Sequence, residues 1–174
     1  MRKRIVPALR DPAAAEHGDW LDLERLAEVE ITSEDPGHPI ENALIPGAER
    51  GWRASEPGEQ VIRLLFHEPQ AIRRVWLHFE EPQLERTQQF VLRWSPDGGQ
   101  NLIEVLRQQW NFSPRGATAE TEDIVLGVPD ATLLELTIIP DISGGDARAS
   151  LAQLRVERND GRASRAPAAP DARK

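Results

Sequence analysis

The sequence predicts an all-β fold in which about eight short strands form two packed antiparallel sheets. Three observations carry this. Apolar residues recur at every second position in short bursts, the spacing of a half-buried strand. The bursts stop at clusters of Pro, Gly and Asp, residues that favour turns. Only one stretch, Trp20 to Leu26, places its leucines so that they share part of a helical face, with Asp19 available as a cap.

The bursts run in order along the chain. Leu26, Val29 and Ile31 come first, with Glu28 and Glu30 interleaved, followed by Ile62, Leu64 and Phe66 and then Val75, Leu77 and Phe79. Phe90, Leu92 and Trp94 form the fourth, Ile103 and Val105, running toward Arg107, the fifth, and Ile124 and Leu126 the sixth. Leu134, Leu136 and Ile138 make the seventh, and Leu151, Leu154 and Val156 the eighth. Ser95-Pro96-Asp97-Gly98-Gly99 is the clearest reversal, because its proline presets φ and its glycines accept positive φ. Pro36-Gly37, Pro46-Gly47 and Ser143-Gly144-Gly145 are further breaks.

A chain of 174 residues supports one domain with arms and buries enough surface to hold a core without cross-links. Residues 1–19 read as an N-terminal arm, 20–158 as the sandwich and 159–174, which lack any large apolar group, as a disordered tail. There is no cysteine, which excludes disulfides, thiolate zinc sites and cysteine nucleophiles. The basic start Met1-Arg2-Lys3-Arg4 is followed by Pro7 and further charges, so an export signal is not expected and the expected compartment is the cytoplasm. No apolar run approaches the length of a membrane span. A net charge of -8 is the wrong sign for tracking phosphate backbones, although Arg73, Arg74 and Arg93 are candidates for a local basic patch on a sheet face.

The aromatic residues divide by position. Trp52 and Trp94 read as core, and Trp76, on the opposite parity from Val75 and Leu77, reads as an outer-face residue or one lying under the N-terminal arm. Trp110 and Phe112 stand among Gln109, Asn111 and Ser113 at a strand end, a combination that suits stacking on a sugar ring, anchoring a peptide or plugging the end of the sandwich. Glu80-Glu81-Pro82 and Glu85-Arg86 read as a solvated loop, since adjacent strand residues point apart. His17, His38, His67 and His78 have no paired metal-binding spacing, and no Gly-rich phosphate loop is present. No nucleophile, base and acid assemble from these motifs. The expectation is a protein without catalytic activity, metal or cofactor.

Several segments, taken in order, resemble the discoidin or coagulation-factor V/VIII type C domain of the galactose-binding-like superfamily. They are Glu41-Asn42-Ala43-Leu44 followed by Gly51-Trp52-Arg53-Ala54-Ser55, Gly58 to Leu64, Ile72-Arg73-Arg74-Val75-Trp76-Leu77, Phe90 to Gly98, Leu134 to Ile138 and Ala149 to Val156. The resemblance spans roughly Leu26 to Glu157 and implies a jelly-roll sandwich acting as a binding module. Two departures matter. Leu44-Ile45-Pro46-Gly47 stands where sugar-binding relatives carry a calcium-holding Asp, so folding is expected not to need calcium. Glu80 and Glu81 stand where galactose-type relatives tend to place an Arg.

Loops at one end of such a sandwich are where binding chemistry varies. The loop from Ser33 to Ile40, the segment around Arg53, the turn from Glu80 to Arg86 and Gln109 to Phe112 are expected to gather at one rim. There Trp110 and Phe112 would stack on or anchor the ligand, Asp35, Glu80 and Arg86 would supply polar contacts, and His38 or Arg53 would complete the site. The expected ligand is a carbohydrate, with an intracellular protein partner as the alternative.

Overall fold

The computed structural model describes residues 18–161. The N-terminal segment that includes His17, and the tail after Gly161, lie outside the described residues. In chain order the elements are α1 (Leu23–Leu26), β1 (Ala27–Ile31), α2 (Glu41–Leu44), β2 (Trp52–Pro57), β3 (Gln60–Glu80), β4 (Arg86–Ser95), β5 (Ile103–Phe112), β6 (Ala119–Ile139), β7 (Arg148–Leu151) and β8 (Gln153–Arg158). The architecture is the expected antiparallel β-sandwich, but the eight strands are not the eight apolar bursts. β3 absorbs two bursts and β6 another two, the last burst divides between β7 and β8, and β2 carries no burst at all.

The long strands explain how one hydrogen-bonded network makes two layers. Ile62–Phe66 of β3 pair with β1 on one side and Gln60–Leu65 with Leu133–Ile138 of β6 on the other, and β4 and β5 extend that layer. Farther along, Arg74–Glu80 pair with Ala119–Val125, and β8 joins on the other edge of β3. Between the halves the register breaks, and opposite β8 the step from Ile72 to Arg74 is matched by the single step from Arg158 to Glu157. Arg73 is thus a bulge residue. It shifts the buried parity from even, at Ile62, Leu64 and Ile72, to odd, at Val75, Leu77 and Phe79. The halves then face each other, and Phe79 packs on Phe90 of β4 with ring centroids 5.4 Å apart.

Trp52 is 1% exposed, which confirms its place in the core. Trp94 is half-buried and packs against the same cluster. Trp76 takes the outer face, buried there and stacked on His78 with centroids 5.8 Å apart. Helix α1 is a single turn whose N-cap is Asp22, not Asp19; the Asp19 carbonyl instead accepts the Arg158 N–H, drawing the segment onto β8. The reversal at Ser95 forms as expected, with Gly98 and Gly99 at φ 72° and 94° and the Ser95 hydroxyl accepting the N–H groups of Asp97 and Gly99. Among the described residues no helix is long and apolar enough to cross a membrane.

Candidate functional site

Four separate segments meet around a cavity of about 130 Å³. The first is the turn from Asp35 to His38, which is fastened to β2 through the backbone: Asp35 N–H donates to the Arg53 carbonyl at 2.9 Å, and Arg53 N–H donates to the His38 carbonyl at 3.1 Å. The Asp35 carboxylate closes the turn by accepting the Gly37 N–H at 2.8 Å. Alternation on β2 sets the second contribution. Trp52 and Ala54 point into the core, so Arg53 between them points outward, and Trp52 forms part of the cavity wall.

Gly51, just before Trp52, has φ 61°, and a Cβ there would lie 2.6 Å from the Leu151 carbonyl oxygen, so only glycine lets the two segments come this close. The third contribution is Glu80, at the end of β3. Its carboxylate accepts from His78 Nε2 at 3.0 Å, while the Thr121 hydroxyl lies 2.9 Å from Nδ1. A hydrogen on Nε2 leaves Nδ1 to accept from Thr121, so the three groups form one outward-facing chain. A fourth segment, residues 150–152, completes the lining together with Arg50 and Pro82, and the Ser150 hydroxyl donates to the Glu80 carbonyl.

Two polar atoms of the lining residues are buried without a hydrogen-bond partner, His38 Nδ1 and Trp52 Nε1. The nearest acid to the former, Asp35, is 3.8 Å away, beyond hydrogen-bond reach. Unpaired buried polar atoms are costly, and here two occur in the wall of one cavity.

His38, Arg53 and Glu80 are thus brought together, and Asp35 shapes the turn that presents His38. The other expected site residues have different places. Arg86 is withdrawn from solvent and paired with Glu81 at 3.2 Å, and it donates to the Arg148 carbonyl at 2.9 Å. Burial pulls its pKa below the usual arginine range, the Glu81 carboxylate opposes this, and the Arg53 cation adds to the depression. Glu81 is likewise not the solvated residue its loop suggests: it is 4% exposed and accepts the N–H groups of Gln83 and Leu84.

Phe112 is 1% exposed and belongs to the core, so it offers no face for stacking. Trp110 is half-buried against that core and sits opposite the buried Gln88. The amides near it occupy the other face of the sheet, where Gln109 donates to Gln89 and Asn111 accepts from Thr87. Strand alternation therefore separates the aromatics from the amides that made this segment look like a sugar platform.

The residues missed by sequence reasoning are Arg50, Pro82 and Ser150. Arg50 follows a charged residue in a loop and carries no motif. Ser150 had a weak signal, since it lies between Ala149 and Leu151, both buried, and must point the other way. The suggested basic patch does not form. Arg73 and Arg74 pair with Glu157 in one layer, and Arg93 pairs with Glu135 in the other. Among the described residues no group of three or more His, Asp or Glu side chains converges as a metal site.

No family model matches the chain, and no curated protein matches it. Solved structures do. The family 32 carbohydrate-binding module from C. perfringens NanJ, in complex with galactose, has a TM-score of 0.61 at 15% identity, covering 80% of this chain and 98% of that one. A pectin-binding carbohydrate-binding module has a TM-score of 0.56 at 18% identity, covering 86% and 96%. The family 32 module of AlyQ, in complex with 4,5-unsaturated mannuronic acid, has a TM-score of 0.55 at 17% identity, covering 75% and 94%. The chain shares the β-sandwich fold of these modules.

Proposed function

We propose that this chain is a non-catalytic module that binds a saccharide in the cavity between His38, Arg53 and Glu80. The observation that carries the reading is the convergence of these three polar side chains, from three segments, around one cavity. Sugar hydroxyls both donate and accept, and the site supplies both roles: Arg53 donates, Glu80 accepts, and the His38 ring does either. Pro82 offers an apolar face for ring C–H groups. The volume is small beside the ~300–1,000 Å³ of drug-sized pockets, which suits the end of a chain or a single residue better than the middle of a polymer.

The fold supports this reading, since solved structures with it are modules in complex with galactose and with an unsaturated mannuronic acid. A glycan array followed by calorimetry on the best hit tests the reading. His38→Ala, Arg53→Ala and Glu80→Gln are each expected to weaken binding roughly tenfold or more while melting as the parent does. Retained affinity in all three variants would remove this cavity as the site.

A further inference from the structure

Accepting that the cavity holds a saccharide, we propose that this saccharide is anionic, a hexuronate or a sulfated hexose, and that Arg50 and Arg53 select it. The chain is acidic overall, with 29 Asp and Glu against 21 Lys and Arg. Six strand arginines, Arg63, Arg73, Arg74, Arg86, Arg93 and Arg107, each have a carboxylate within 4.0 Å. The two arginines that line the cavity do not. Among the described residues no carboxylate lies within ion-pair distance of Arg50 or Arg53, and the lining sets these two cations against a single acid, Glu80. The cavity is therefore a locally cationic spot on an acidic surface, which favours a ligand carrying negative charge.

The backbone at Arg50 points the same way. It has φ 78°, the only non-glycine residue with positive φ among those described. Gly47 and Gly51, on either side, adopt that region without cost, so a side chain here is maintained against a conformational penalty. Strained residues of this kind concentrate at binding sites. A guanidinium presents paired donors that match the two oxygens of a carboxylate or sulfate, whereas a neutral hydroxyl uses only one of them.

Calorimetry with four probes decides the matter: oligogalacturonate, the same oligomer methyl-esterified, a neutral galactose oligomer and galactose 6-sulfate. At least one anionic probe is expected to bind roughly tenfold tighter than its neutral counterpart. That preference should shrink between about 0.05 and 0.5 M salt as the charges are screened. Which anionic probe leads distinguishes a carboxylate from a sulfate ester.

In the double variant Arg50→Gln, Arg53→Gln the ratio of anionic to neutral affinity is expected to fall to within about twofold of one. Both side chains are exposed, and an unchanged melting curve confirms that the variant is folded. Equal binding of neutral and anionic probes by the parent overturns the inference and leaves the saccharide reading standing, as does a preference that survives in the double variant. Absence of binding to every saccharide, on the array and among the four probes, overturns both.

Discussion

Arg86 and Glu81 face each other across 3.2 Å with both side chains almost wholly shielded from water. The pair fastens the loop that bears Pro82, just after Glu80 at the end of β3, to β7, because the same guanidinium also donates to the Arg148 carbonyl. Breaking a buried pair by deleting one partner leaves the other charge buried, at a cost of about 3–5 kcal/mol. Arg86→Ala should therefore lose that much stability in denaturant unfolding. Arg86→Lys should recover only part of it, since an ammonium lacks the planar fork that reaches both acceptors. A loss below about 1 kcal/mol, the scale of an exposed ion pair, would contradict this account of the loop.

Trp52 and Phe112 are each 1% exposed, and truncating either to alanine opens a cavity in the same core. The expected loss is about 3–5 kcal/mol for each substitution. A Trp52→Ala protein that melts like the parent but no longer binds saccharide would make Trp52 a ligand residue instead of a core anchor.

Trp110 distinguishes the site that the sequence suggests from the cavity proposed above. Its half-buried ring packs against the core and does not line the cavity. Trp110→Ala should lower stability by about 1–3 kcal/mol and leave saccharide affinity within roughly twofold of the parent. Lost affinity with an unaltered melting temperature would move the site to β5.

Asp97 gives a pH test. Hydrogen bonds from the Asn101 backbone, the Ser95 hydroxyl and the Asn101 side chain hold its pKa below the usual aspartate range. A carboxylate depressed in the folded state adds stability that is complete above its unfolded pKa and is lost as pH falls through the folded one. The stability difference between the parent and Asp97→Ala should accordingly be greatest near about pH 6 and shrink toward about pH 2.5. A difference that grows on acidification would contradict this.

Much of the sandwich was readable because strand alternation is a local signal. Ile62, Leu64 and Phe66 point inward whatever their strand pairs with. The division into strands was less readable. The Arg73 bulge lets one strand serve both layers, and what shows in the sequence is two bursts of opposite parity with no turn residue to say whether the chain reverses between them. The site divides in the same way. His38, Arg53 and Glu80 line one cavity, and each sits in a loop or at a strand end next to a recognisable core position. Arg86 and Glu81 could not be read as buried, since their burial depends on each other and on the distant Arg148 carbonyl. Trp110 and Phe112 looked like ligand residues because amides alternate with them, and that alternation places aromatics and amides on opposite faces.

The most direct test of the saccharide cavity is a two-dimensional amide NMR titration of the whole chain with the saccharide that leads on the array. The account predicts shifts concentrated in residues 35–38, 50–53, 80–82 and 150–152, the segments that surround the cavity. Shifts confined to β5 around Trp110, or absent from all four segments at saturating ligand, would contradict it.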